Sequence, residues 1–147
     1  MSSASIGETQ LSVLLTTLQP QLHPSVFVFV TLPTAMMPQG LAPVCQFQEA
    51  EGLTLIVPQS QAERAQLPYQ YPSRMITLAV HSSLAAVGML AAITQVLAAE
   101  GISTNVVSAY FHDHLFVACD RVQDTLDCLA KLAIQGNCHI PPEQISQ

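Results

Sequence analysis

Between Arg74 and Ala133 the spacing of apolar residues switches between strand and helix periods, and that succession restricts the chain to few folds. In "RMITLAV" the residues Ile76, Leu78 and Val80 alternate, as on one face of a strand. A helix is predicted from about Leu84 to Glu100, with Leu84, Val87, Ala91, Thr94 and Leu97/Ala98 as its buried stripe. Ser82 or Ser83 is placed to cap it, because a hydroxyl accepts from the free amides of a first turn. Gly101 is placed to end it in the left-handed region. "STNVVSAYF" and "HLFVAC" read as strands, with His112-Asp113 as the bend between them. Asp120 and Gln123 have capping-box spacing, and Val122, Leu126, Leu129 and Leu132 mark the inner face of a second helix. The order β-α-β-β-α is the split βαβ of a ferredoxin-like α+β fold, an antiparallel sheet with helices on one face.

The first half carries a weaker version of the same signals. Leu11, Leu14, Leu15 and Leu18 have helical spacing, which Pro20 ends. "SVFVFVTL" from Ser25 to Leu32 is β-branched and aromatic, as a strand requires. Pro33, Pro38, Gly40 and Pro43 mark a loop. Cys45 to Gln48 and Leu53 to Val57 form a predicted hairpin about Ala50-Glu51-Gly52, and a short helix follows from Ser60. "PYQYPS" is the expected boundary, dividing the chain into 1–72 and 73–147. The first half is expected to lack a leading strand, and the second ends in "NCHIPPEQISQ", whose prolines make a poor final strand. The halves are therefore expected to complete one another. "EGLTLIVP" and "HDHLFVAC", each before a helix, form a weak internal echo.

Composition narrows the function. Of 147 residues, 50% are hydrophobic and only 10% charged, which points to surface hidden against a homodimeric or higher homo-oligomeric partner. A net charge of −6 with only four Lys and Arg argues against a nucleic-acid partner. No long apolar span or basic patch points to a membrane, and the N-terminal segment has no signal-peptide pattern, so a cytoplasmic location is expected. Cys45, Cys119, Cys128 and Cys138 form no CxxC pair and are expected to be buried small hydrophobes.

The segment "HSSLAAVGMLAAITQVLAAEGISTNVVSAYFHDHLFV" resembles the ACT domain, and more narrowly the small bacterial proteins with paired ACT-like halves. "HSSL-x-AVG", "GIS-x-NVV" and "HDHLFV" carry the likeness, which covers about Met75 to Lys131. It is also similar to the ACT domains of aspartokinases, with Asp113 and Leu115 to Val117 at the matching positions. The resemblance implies a non-catalytic regulatory module that binds an amino acid or related carboxylate and signals to a partner enzyme. It implies a ligand between the His81–Gly88 loop and a strand segment from Ser103 to Val107. The expected ligand-binding residues are Ser82, Ser83, Leu84, Val87, Gly88, Asn105, Val106 and Asp113, with no cofactor. The loop and helix start would receive a carboxylate, and Asn105 and Asp113 an ammonium.

Two other readings stand beside this one. His112 and His114, with Asp113 and His81, could bind a metal or form a small metal-dependent enzyme, although the pair supplies only two imidazoles of the three or four ligands needed. Low charge also permits a ligand-free scaffold or interaction protein. Ser82-Ser83 beside His81 is not a nucleophile elbow, since no G-x-S-x-G surrounds it.

Overall fold

A computed structural model describes residues 11–33, 36–80 and 82–137. In chain order the elements are α1 (Leu11–Thr16), β1 (Pro20–Leu32), β2 (Cys45–Gln48), β3 (Leu53–Pro58), α2 (Gln59–Arg64), β4 (Gln70–Leu78), α3 (Met89–Ala99), β5 (Thr104–Ser108), β6 (Asp113–Ala118) and α4 (Val122–Asn137), the last entered through a 3₁₀ turn at Cys119–Arg121. The six strands form one sheet in the order β2-β3-β1-β4-β6-β5, every pair antiparallel.

The order explains how two incomplete halves make one domain. Around β1 the first half runs β2-β3-β1-β4; around β4 the second runs β5-β6-β4-β1. Each half thus borrows the other's first strand as its fourth. Residues 72 and 73, at the expected boundary, both lie within this shared strand β4. The first half does have a leading strand, β1, because strand structure begins at Pro20 and not at Ser25. Its missing piece is a helix: the described residues between β1 and β2 form a loop, whereas α3 joins β4 to β5. The expected final strand lies outside the described residues.

From Phe27 to Leu32 strand β1 is apolar on both faces apart from Thr31, although the described helices cover only one. Val28, Val30 and Leu32 pack with Leu53, Leu55, Val57 and Ala62 beneath α2. Phe27 faces the other way and joins Ile56 and Phe116 in a cluster on the helix-free face. Edge-to-face ring contacts at 5.8–6.0 Å link Phe27 and Phe29 to Phe116. Such pairs contribute about 0.5–1.5 kcal/mol beyond their buried area. Pro24 lies where the β1–β4 register slips between Leu22 and Val26, so its missing N–H interrupts no regular pairing.

The largest core lies under the second half. Leu14 and Leu15 of α1 and Leu18 just after it meet Ile76 and Leu78, Ile93 and Leu97 of α3, Leu115 and Val117, and Leu129 and Leu132 of α4. The N-terminal helix therefore packs on the other half's core. Full burial of each such side chain contributes about 1.5–3 kcal/mol. The predicted inner face of α4 is the observed one, with Val122 and Leu126 packed at its margin.

Helix α3 corrects the sequence reading. It starts at Met89, and its buried residues are Met89, Ile93 and Leu97, whereas Leu84 and Val87 are 69% and 82% exposed. The helical pattern was drawn through a non-helical loop, which rotated the apparent stripe. Neither serine caps the helix: Gly88 stands at the N-cap with φ 98°, and no side chain bonds to that end. Ser83 instead accepts the Ala85 N–H at 3.1 Å within the loop. Gly101 does end the helix: with φ 68° it donates to Ala98, while Ile102 donates to Leu97. Asp120 sits inside the 3₁₀ turn, and the Gln123 amide bonds to Asp127, so no capping box forms. Cys119 is exposed, and Cys45 and Cys128 are half-buried, so the expected burial does not hold for them.

Candidate functional site

The β5–β6 hairpin turns at Tyr110-Phe111, closed by the Ala109 N–H donating to the His112 carbonyl at 3.0 Å. Asp113 is therefore not part of the bend. It is the first residue of β6, opposite Ser108 on β5 and Leu78 on β4, and it is 8% exposed. Its strand position turns it to the helix side of the sheet, as for Leu115 and Val117.

The loop after β4 arrives over the same spot. The Ser82 hydroxyl donates to Asp113 Oδ2 at a long 3.4 Å. Ser83, Leu84, Ala86, Gly88, Met89, Leu90, Ala91, Ser108 and Asp113 enclose a cavity of about 140 Å³. Gly88 is favoured at its rim because only glycine holds φ 98° without strain; an added Cβ would meet the Leu11 side chain at an ordinary contact distance of 3.4 Å.

The cavity has two electrostatic poles. On one side is the first turn of α3, whose Met89, Leu90 and Ala91 line the wall; the end has no side-chain cap, and its first intrahelical bond is Ala92 to Gly88. Free amides and the helix dipole make such an end attractive to an anion. On the other is the Asp113 carboxylate. Among the described residues it makes one hydrogen bond, to Ser82, and no ion pair. A buried carboxylate so lightly partnered favours a cation or ammonium beside it.

The structure brings together Ser82, Ser83, Leu84, Gly88 and Asp113 of the expected set. Asn105 is elsewhere: opposite Phe116 in the sheet, it is exposed on the helix-free face. Val106 packs against the core beneath α3 and α4 without lining the cavity, and Val87 points away from it. Ala86, Met89, Leu90, Ala91 and Ser108 were missed. Ser108, opposite Asp113 across the hairpin, was hidden by the bend placed at His112-Asp113, and the helix residues by the misplaced helix start.

Of the described histidines, neither His112 nor His114 lines this cavity. His114 lies on the opposite face of β6, with Nδ1 2.8 Å from the Thr77 hydroxyl. Burial lowers its pKa, helped by His112 and opposed by Asp113. His81 lies outside the described residues. Among the described residues no group of three His, Cys, Asp or Glu side chains is placed to hold a metal.

These features define a class, and the chain belongs to it: it is a member of the ACT-domain family, a family of regulatory modules. One ACT-domain model matches residues 6–74 and a second matches 70–131, so both include the start of the shared strand β4. A protein of unknown function from Vibrio cholerae, described as a possible transport protein, is 38% identical, with a TM-score of 0.75 over 84% of this chain and 95% of its own. A protein from Agrobacterium tumefaciens is 18% identical, with a TM-score of 0.63 over 78% of this chain and 87% of its own. The ligand-free regulatory subunit of aspartate kinase from Thermus thermophilus shares the fold at 10% identity, with a TM-score of 0.60 over 79% and 97% of the two chains. No match was found among functionally curated proteins. Among the described residues no helix is long and apolar enough to cross a membrane.

Proposed function

We propose that the protein is a non-catalytic regulatory module that binds a small amino acid or related zwitterion in the Ser82–Gly88/Asp113 cavity. The observation that carries this is the pairing of an uncapped helix start with a buried, lightly partnered carboxylate across about 140 Å³. A zwitterion satisfies both poles at once; a simple anion or simple cation satisfies one. Ser108 and the Ser83 hydroxyl supply neutral hydrogen bonds between them. The two modules, 1–72 and 73–147, play unequal parts, and the ligand belongs to the second. Ligand binding would stiffen the irregular loop before α3, and a second copy of the chain or a partner enzyme would read that change. Low charge and the exposed Leu84, Val87, Tyr110 and Phe111 support a homo-oligomer.

A thermal-shift screen over the proteinogenic amino acids tests the reading. A true ligand at a hundred times its dissociation constant adds about 2.7 kcal/mol of stability. The shift should appear for at least one amino acid and fall to about half or less in Asp113→Leu; no shift for any amino acid at millimolar concentration contradicts the proposal.

A further inference from the structure

The two halves are related by an approximate two-fold exchange of strands, and besides the missing helix the pairing of β1 with β4 breaks it. Strands β3 and β6 have the same burial pattern, residue for residue, which matches Thr54 to His114 and Leu53 to Asp113. The pairs Thr31–Thr54 and Thr77–His114 are then counterparts. In the second half β4 is paired to its end, because Pro20 and Leu22 of β1 lie opposite Leu78 and Ile76. The matching pairs in the first half would be Gln66–Leu32 and Pro68–Val30. They do not form: β1 pairs with β4 only as far as Phe29–Gln70. Gln66 is left-handed, with φ 55°, and Pro68 has no N–H to donate, so the chain leaves the sheet there.

The unpaired notch is a cavity of about 440 Å³, lined by Phe29, Val30, Thr31, Glu49, Thr54, Pro68, Tyr69 and Gln70. Two aromatic rings in its wall are held in place. Tyr69 has its hydroxyl tied to the Gln59 amide at 2.9 Å and to Glu63 at 3.1 Å. Phe29 packs edge-on against Tyr71 and Phe116. The Glu49 carboxylate is fixed at the rim by the Thr54 hydroxyl. That bond occupies one oxygen, and among the described residues Glu49 has no cationic partner. In the second half His114, the counterpart of Thr54, bonds instead across the sheet to Thr77, and the counterpart of Glu49 is Ala109, which carries no charge.

We propose that this notch is a second ligand site, separate from the Asp113 cavity, for an organic cation: an ammonium or guanidinium on a short apolar body. The charged head lies against Glu49 and the ring faces, where a carboxylate and aromatic quadrupoles act together. The apolar body lies along Phe29, Val30 and Pro68.

Butylammonium, butylguanidinium, butanol and butyrate, titrated into the full chain and followed by backbone amide NMR shifts, test the assignment. Both cations should shift residues 29–31, 49–54 and 68–70, while butanol and butyrate should not. Glu49→Gln, an exposed and isosteric change, should weaken cation binding about tenfold or more. Asp113→Leu should leave it unchanged, which separates this site from the other. Equal shifts with butanol, no response to either cation at millimolar concentration, or unchanged affinity in Glu49→Gln would each overturn the proposal.

Discussion

The two halves share a sheet and a strand pattern, yet among the described residues only the second has a helix between its first two strands. Where the second half places Asp113 beside the start of α3, the first places Leu53, which is buried with Leu55 and Val57. Where the second half has the open loop 82–88, the first has a loop whose Leu41 packs onto that apolar cluster. One half has filled its cavity with leucine and the other has kept a carboxylate in it. The difference teaches that fold symmetry does not carry a site with it. The proposed site uses a helix end and a charged residue, and the first half has neither at the matching positions.

The largest expected effects test the shared sheet. Leu55 and Leu115 are counterparts, each fully buried. Leu55→Ala and Leu115→Ala should each cost about 2–5 kcal/mol. Because β1 and β4 belong to both halves, either variant should lower one common transition in urea, monitored by circular dichroism. Two separate transitions would break the account of halves that complete each other.

A smaller effect separates the two turns of the first half. A Cβ at Gly52 would sit 2.3 Å from the Leu32 carbonyl oxygen, whereas one at Gly40 would meet nothing within 4 Å. Gly52→Ala should therefore cost about 2 kcal/mol, and Gly40→Ala about 1 kcal/mol, from its left-handed φ alone. Equal losses in chemical denaturation would remove the steric argument.

Asp113→Leu makes the second half resemble the first. It should reduce ligand affinity about tenfold or more, about 1.4 kcal/mol. It should leave the thermal midpoint of the free protein unchanged or raised, because a lightly partnered buried carboxylate costs stability. A large fall in the midpoint would mean that Asp113 is a structural residue.

The smallest effect concerns pH. The folded pKa of His114 lies below its ordinary value of 6.5, chiefly through burial. The unfolded chain therefore takes up the proton first on acidification, and stability should decline as pH falls through about 6.5 toward the folded pKa. In His114→Gln, urea midpoints measured across this range should show a shallower slope; an unchanged slope would assign it to other groups.

The second half was the more legible because its periodicities are clean. Ile76 and Leu78, Leu129 and Leu132 and the Gly101 terminus all stand where the sequence puts them. The start of α3 was not legible, because "SLAAV" continues the apolar spacing of the helix into a loop that only the left-handed Gly88 ends. Asn105 was misplaced relative to Asp113 for a related reason. Strand alternation fixes a face only once the register is known, and the hairpin turn proved to lie at Tyr110-Phe111 and not at His112-Asp113. That the halves complete one another was legible from their missing pieces; which strands they share was not, because the pairing of β1 with β4 is long-range and no local pattern records it.

Calorimetric titration of the full chain with the amino acid found by screening addresses the inequality of the halves most directly. The account predicts one amino-acid site per chain, weakened about tenfold or more in Asp113→Leu and unaffected by Leu53→Ala. Two equivalent sites per chain, or full affinity retained without the Asp113 carboxylate, would contradict it.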